Sequence, residues 1–198
     1  AQLTEWVFGS DPARREWEKE MKEYFSEKKF EPERAVYFAG GKDRETMNMV
    51  LETFPSLKKI TLVDPSYLTL SEIALSYGID WLHSGNYEIE GYLDYKQFLE
   101  WEQTLTSGKD LSLSIRLRDS GRKLEVVLSP KGFQKSSVQS DLTIVKNAGE
   151  GGDLAYKPEF WDKVFESTKL GGRILVSQAS IIRKEQLLPE KRIPTETW

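Results

Sequence analysis

The stretch Ala35–Asp43 reads Ala-Val-Tyr-Phe-Ala-Gly-Gly-Lys-Asp and joins a hydrophobic strand to a glycine pair. A second apolar strand lies in Ile60–Ser66, which reads Ile-Thr-Leu-Val-Asp-Pro-Ser. Between them, apolar residues recur at helical spacing: Met47, Val50, Leu51 and Phe54. Pro55 stops this helix because its ring cannot continue the helical backbone. A strand, a helix and a second strand in this order predict a βαβ unit with parallel strands.

The residues that close these two strands are typical of a nucleotide-type binding site. Glycines such as Gly40 and Gly41 let the backbone turn tightly and approach a ligand. Asp64, 23 residues past Gly41, can accept both hydroxyls of a ribose. A third glycine that a pyrophosphate would need is missing, and the acids Asp43 and Glu45 suit a cation better. The pattern favours an adenosine-bearing cofactor that has a cationic group and no pyrophosphate over a nicotinamide dinucleotide. The simpler alternatives are a turn acid at Asp64 and a helix cap at Asp43.

Strands and helices alternate along the rest of the chain. Asp141–Val145 and Ile174–Val176 are apolar strands, and Pro158–Leu170 is an amphipathic helix between them. Leu111–Leu117 alternates apolar and polar residues, which predicts a half-buried strand in a hairpin with Lys123–Leu128. We expect an α/β fold, a Rossmann-like three-layer sandwich with a mostly parallel sheet of at least five strands.

The remaining segments complete a single predicted domain over residues 1–198. Residues 1–31 predict an N-terminal amphipathic helix. A helix is expected at about Tyr67–Tyr77, with Gly78 as its stop, and another at Tyr92–Leu105. Residues 79–122 read as an insertion that carries a helix and part of the β-hairpin.

The amino-acid composition argues against several classes of function. Hydrophobic residues make up 38% of the 198 residues and charged residues 30%, which suits a globular domain. A net charge of −4 argues against a broad electrostatic grip on nucleic acid or an anionic membrane. The sequence has no cysteine and one histidine, His83, so thiolate catalysis and Cys- or His-rich metal sites are excluded. No apolar run approaches the roughly 20 residues of a membrane span, and we predict a cytoplasmic protein without a metal site.

Three stretches together resemble the class I S-adenosylmethionine-dependent methyltransferase fold. Val36–Asp43 stands where that family has its glycine-rich first loop. Leu62–Ser66 resembles the second strand, whose terminal acid binds the cofactor ribose. Asp141–Val145, Phe160–Lys169 and Leu170–Val176 resemble the fourth strand, its helix, and the glycine turn with the fifth strand. The resemblance implies S-adenosylmethionine as cofactor and methyl transfer to a small molecule or a protein.

The resemblance also implies roles for individual residues. The implied cofactor-binding residues close the first two strands: Gly40, Gly41, Asp43, Asp64, Pro65 and Ser66. The implied catalytic residues follow the fourth strand on the acceptor side: Asn147 and Glu150. Because methyl transfer is an in-line displacement, the protein mainly positions the acceptor and excludes water. The family's third strand would be supplied either by Leu124–Leu128 or by Asp80–His83.

One departure from the family supports a second hypothesis. The family has an acid near the methionine ammonium, two residues before the first loop glycine, and Phe38 stands there. Either Asp43 or Glu45 takes over this contact, or the site does not bind the cofactor. In the second case the chain is a non-catalytic domain of the same fold, used for protein interaction or assembly.

Overall fold

The computed structural model describes residues 19, 22–26, 29–40, 44–84, 87–91, 94–118, 120–145, 154, 157–176 and 180–183. The strands in these ranges are β1 Arg34–Phe38, β2 Lys59–Val63, β3 Tyr87–Ile89, β4 Leu111–Leu117, β5 Lys123–Ser129, β6 Ser140–Val145, β7 Thr168–Val176 and β8 Ser180–Arg183. The helices are α1 (residues 22–26), α2 Arg44–Thr53, α3 Ser66–Thr69, α4 Ser71–Ser84, α5 Tyr95–Thr106 and α6 Pro158–Ser167, with a 3-10 turn at Phe133–Lys135.

These strands form one sheet in the order β3-β4-β5-β2-β1-β6-β7-β8. The five strands from β5 to β7 in this order are parallel to one another. β3, β4 and β8 are joined to the sheet by antiparallel pairing. The predicted mostly parallel α/β sheet is therefore confirmed, and so are its four central strands and the hairpin of β4 and β5.

Apolar side chains bury both faces of the central strands, as the period of two along a strand requires. On one face, β1 and β2 share a core with helices α2 and α4 through Tyr37, Ile60, Leu62, Val50, Phe54 and Leu75. On the other face, they pack with α6 through Val36, Phe38, Val63, Phe160 and Val164. The sheet is thus the middle layer of the predicted three-layer sandwich.

The third parallel strand is settled by pairing. β5 contains Leu124–Leu128 and lies parallel to β2, with Ile60 opposite Val126. The alternative, Asp80–His83, is wrong because these residues belong to α4. The expected helix stop at Gly78 is wrong as well. Leu75 and Ile79 are buried at helical spacing, so the apolar face of α4 continues past the glycine.

Two further boundaries differ from expectation. The helix expected at Tyr67–Tyr77 is two helices, since Leu70 leaves helical geometry with φ −125° and ψ 37° between α3 and α4. The helix expected to end at Leu170 ends at Ser167, and β7 starts at once. Consequently the predicted glycine turn lies inside β7, where the pairing with β6 shifts register.

The N-terminal helix prediction is described only in part, since residues 1–18 lie outside the described ranges. None of the helices in those ranges combines the length and apolar character needed to cross a membrane.

Candidate functional site at the carboxyl edge of the sheet

The carboxyl ends of the five parallel strands meet at one edge of the sheet. The chain runs from β1 outward through β2 to β5, then returns to the other side of β1 as β6 and continues to β7. The strand order therefore reverses between β1 and β6. Open α/β sheets bind ligands in the crevice outside the carboxyl ends at such a reversal. The residues that follow β1, β2 and β5 at this edge are the described part of the candidate site.

The turn after β1 is tight and strained. Ala39 has a φ of +57°, a left-handed conformation that costs a non-glycine residue roughly 1–2 kcal/mol. Its N–H donates a hydrogen bond of 2.9 Å to the carbonyl of Val63, which ties the end of β1 to the end of β2. Strained backbone of this kind concentrates at functional sites.

Gly40 is buried in this turn and has little room around its Cα. A Cβ at Gly40 would lie 3.1 Å from the ring of Tyr37. Packing against Tyr37 therefore requires a residue without a side chain at position 40, and this explains the glycine without a ligand. A glycine can also allow a ligand to approach the backbone closely.

Asp64 follows β2 and is 9% exposed. Its Oδ1 accepts a hydrogen bond of 2.9 Å from the N–H of Ser66, at the start of α3. Its own N–H donates to the carbonyl of Ser129 at 3.0 Å, which links β2 to β5. The carboxylate therefore has a structural function in the turn between β2 and α3, in addition to any contact with a ligand.

Ser66 is the second polar residue of this turn. Within the described part of the chain its Oγ is buried and has no hydrogen-bond partner. A buried polar atom without a partner is costly, and a ligand that supplies one would lower that cost. Pro65 precedes it at the N-cap of α3, with φ −63°.

A further polar group lies beside Asp64 and was not predicted. The Ser129 hydroxyl, at the end of β5, donates a hydrogen bond of 2.8 Å to Asp110. Lys131 pairs with the same carboxylate at 3.3 Å. Asp110 comes immediately before β4, and the antiparallel pairing of β4 with β5 brings it to the carboxyl edge. Sequence spacing gave no signal for this group, because 19 residues separate Asp110 from Ser129.

Phe38 is part of the core and not of the edge. Its side chain is 1% exposed, and its ring centroid lies 6.1 Å from that of Phe160 in α6. Phe38 therefore packs β1 against α6.

The other predicted site residues, Gly41, Asp43, Asn147 and Glu150, lie outside the described ranges. Their roles remain predictions. Within those ranges, no three His, Cys, Asp or Glu residues are grouped as a metal ion would require.

Comparison with known proteins finds similarity to solved structures. Neither the protein-family models nor the curated proteins include a match to this chain. Among solved structures, the mitomycin 7-O-methyltransferase MmcR superposes with a TM-score of 0.39 and 16% identity. The superposition covers 84% of this chain and 40% of that enzyme, so the chain spans well under half of its length.

Proposed function

We propose that the carboxyl edge binds S-adenosylmethionine and that the protein transfers its methyl group to a small molecule or a protein. The observation that carries this proposal is the pairing of the strained Ala39-Gly40 turn with Asp64 at the ends of neighbouring parallel strands. The hydrogen bond from Ala39 to Val63 holds these two strand ends together. A glycine turn and a strand-end acid at that separation suit the two ends of an adenosine-bearing molecule.

The described residues fit such a cofactor in three respects. Gly40 has no side chain that would stand between a ligand and the backbone of the turn. Asp64 offers carboxylate oxygens, which accept hydrogen bonds from ribose hydroxyls. Ser66 has a buried hydroxyl without a partner among the described residues, at the point where the adenine would lie. Gly41 and Asp43 are proposed to contact the methionine part.

The reaction asks the protein for positioning more than for proton transfer. S-adenosylmethionine supplies a methyl group activated by its sulfonium. The protein holds the acceptor in line with that methyl group and keeps water out. Asn147 and Glu150, which follow β6 across the strand reversal from Gly40, are proposed to orient the acceptor.

The test is calorimetric titration of the full chain with S-adenosylhomocysteine, using two matched substitutions. Asp64→Asn keeps an oxygen that can accept the hydrogen bond from the Ser66 N–H but loses the charge and one acceptor. Asp141→Asn makes the same change at the opposite edge, where Asp141 accepts hydrogen bonds from the N–H groups of Glu33 and Arg34, both at 3.0 Å. Charge-assisted hydrogen bonds contribute about 1.5–3 kcal/mol each, so Asp64→Asn should weaken binding by one to two decades. Asp141→Asn should lower the melting temperature and leave the affinity unchanged.

A second candidate function follows from Phe38. An acid at that position would have to be buried between β1 and α6, and Phe38 packs there against Phe160 instead. This supports a non-catalytic domain of the same fold, used for protein interaction or assembly. If wild type gives no binding heat at millimolar S-adenosylhomocysteine, the methyl-transfer proposal is rejected and this alternative stands. Equal affinity of wild type and Asp64→Asn would reject the ribose role alone.

A further inference from the structure

The outer face of α5 exposes two large apolar side chains one turn apart. Tyr95 is 71% exposed and Leu99 is 45% exposed. Residues four apart lie on the same helix face, so the two side chains are neighbours. The ring of Tyr95 also stacks on Phe98, with centroids 6.1 Å apart and planes 12° from parallel. We call the surface formed by Tyr95, Lys96, Leu99 and Glu100 the α5 outer face.

The packing of α5 within its own domain is already complete on its other side. Leu105 is fully buried, and Phe98 and Trp101 pack against the core under α3 and α4. Tyr95 and Leu99 are thus additional to the side chains that attach the helix. Single exposed apolar residues need no explanation. Side chains four residues apart, however, form the ridges through which one helix packs into the grooves of another.

The charges beside this pair are self-complementary. Lys96 and Glu100 are both exposed, one turn apart on the same side of the helix. Within the described ranges, Lys96 has no ion pair, and the Glu100 carboxylate accepts only a long hydrogen bond from Gln97, at 3.4 Å. If two copies of α5 pack antiparallel about a two-fold axis near position 98, Lys96 of each copy faces Glu100 of the other. In the same arrangement, Tyr95 of each copy reaches Leu99 of the other.

We propose that the α5 outer face is the contact between two copies of this chain in a symmetric, antiparallel homodimer. Two-fold interfaces require a surface that is complementary to itself, and this face has an apolar centre with one charge of each sign beside it. The occupant is therefore a second copy of the chain. This inference does not rest on cofactor binding, since none of the proposed contact residues belongs to the candidate site at Asp64 and the Ala39-Gly40 turn.

The first experiment measures oligomeric state by sedimentation equilibrium over a range of concentrations. Wild type should show a monomer–dimer equilibrium. Leu99→Glu should shift it to monomer, because it places an acid in the apolar centre. Ile73→Glu is the matched control, since Ile73 of α4 is 53% exposed but lies on another helix and should leave the dimer unchanged. Equal melting temperatures of the variants would show that both fold normally.

The second experiment uses charge reversal to test the antiparallel register. Lys96→Glu alone sets acids against acids, and Glu100→Lys alone sets lysines against lysines. Each variant should dimerise on the order of tenfold more weakly than wild type, since two exposed ion pairs become repulsive. A mixture of the two variants should recover dimer, because each heterodimer again has opposite charges at both positions. A monomer at every concentration, a dimer that Leu99→Glu and Ile73→Glu affect equally, or no recovery on mixing would overturn the proposal.

Discussion

The two edges of the parallel sheet use the same kinds of polar residue in different ways. At the amino edge, Asp141 accepts two backbone hydrogen bonds, and Arg122 donates to the carbonyls of Leu51, Phe54 and Leu57 at 2.9–3.0 Å. At the carboxyl edge, an alanine is held in a left-handed conformation and the Ser66 hydroxyl is buried without a partner in the described ranges. The contacts at the amino edge join strands and helix ends, although the Nε of Arg122 is also buried without a partner in the described ranges. At the carboxyl edge, a left-handed residue closes a central parallel strand beside the unpartnered Ser66 hydroxyl. That difference is what we expect of a scaffold edge and a binding edge.

The largest effect is expected at the end of β1, where core and site meet. Phe38→Asp removes a buried ring, which costs about 3–5 kcal/mol in a core, and adds a buried charge at further cost. We expect no folded baseline in urea denaturation followed by circular dichroism. Phe38→Leu, which keeps an apolar side chain, should cost only about 1 kcal/mol. A folded Phe38→Asp protein with increased S-adenosylhomocysteine affinity would show that this position belongs to the binding edge after all.

The next effect tests the amino edge. Arg122 caps the C-terminal end of α2, and burial lowers the pKa of its guanidinium. Arg122→Ala removes the donor to the carbonyls of Leu51, Phe54 and Leu57, at and just after the end of α2. It should lower the free energy of unfolding by about 2–3 kcal/mol. Arg122→Lys keeps the charge but not the planar fork of donors and should recover only part of the loss. Cofactor affinity should be unchanged in both variants. A changed affinity would contradict the claim that the amino edge takes no part in ligand binding.

A smaller effect should come from relieving the strain at the carboxyl edge. Ala39→Gly removes a left-handed penalty of roughly 1–2 kcal/mol and adds backbone entropy to the unfolded chain, worth about 0.5–1 kcal/mol. The free energy of unfolding should therefore stay the same or rise, by about 1.5 kcal/mol at most. Ala74→Gly, inside α4, is the matched control and should destabilise by about 1 kcal/mol. Equal destabilisation by the two substitutions would mean that Ala39 is not strained.

The smallest expected effect concerns the pKa of Glu88, in the antiparallel pair of β3 and β4. The hydrogen bond and charge of Arg116, which lies 2.6 Å from Glu88 between β3 and β4, hold the pKa of the Glu88 carboxyl below its ordinary value. A lowered folded pKa means that this pair stabilises the protein above the ordinary pKa of glutamate. That contribution is lost as the pH falls through the lowered value. Carboxyl NMR titration should give a reduced pKa for Glu88 in wild type and an ordinary one in Arg116→Gln. The same pKa in both proteins would mean that the ion pair does not persist in solution.

The sequence predicts the central sheet well because its strands carry a strong local signal. Apolar runs such as Val36–Phe38 and Leu142–Val145 are buried on both faces, and this pattern does not depend on distant residues. β3 was missed because three residues, Tyr87–Ile89, are too few to show a period. Gly78 misled the prediction of α4 because a glycine inside a helix costs only about 1 kcal/mol, which the burial of Leu75 and Ile79 exceeds.

The candidate site was less predictable because it is assembled by topology. Asp64 was predicted because it directly follows an apolar strand, and this pattern is local in the sequence. Asp110 and Ser129 become neighbours only through the antiparallel pairing of β4 with β5, which spacing alone does not reveal. The burial of Phe38 against α6 likewise depends on a contact between residues 122 positions apart in the sequence.

The most direct test of the difference between the edges is NMR titration of the isotope-labelled chain with S-adenosylhomocysteine, followed through backbone amide shifts. We expect saturable changes in the amide shifts at the carboxyl edge, in Ala39, Gly40, Ser66 and Ser129. We expect no change at the amino edge, in Arg34, Lys58 and Lys59, whose N–H groups donate to Asp141 or Glu33. No shift at millimolar ligand, or shifts confined to the amino edge, would contradict the claim that the carboxyl edge is the binding edge.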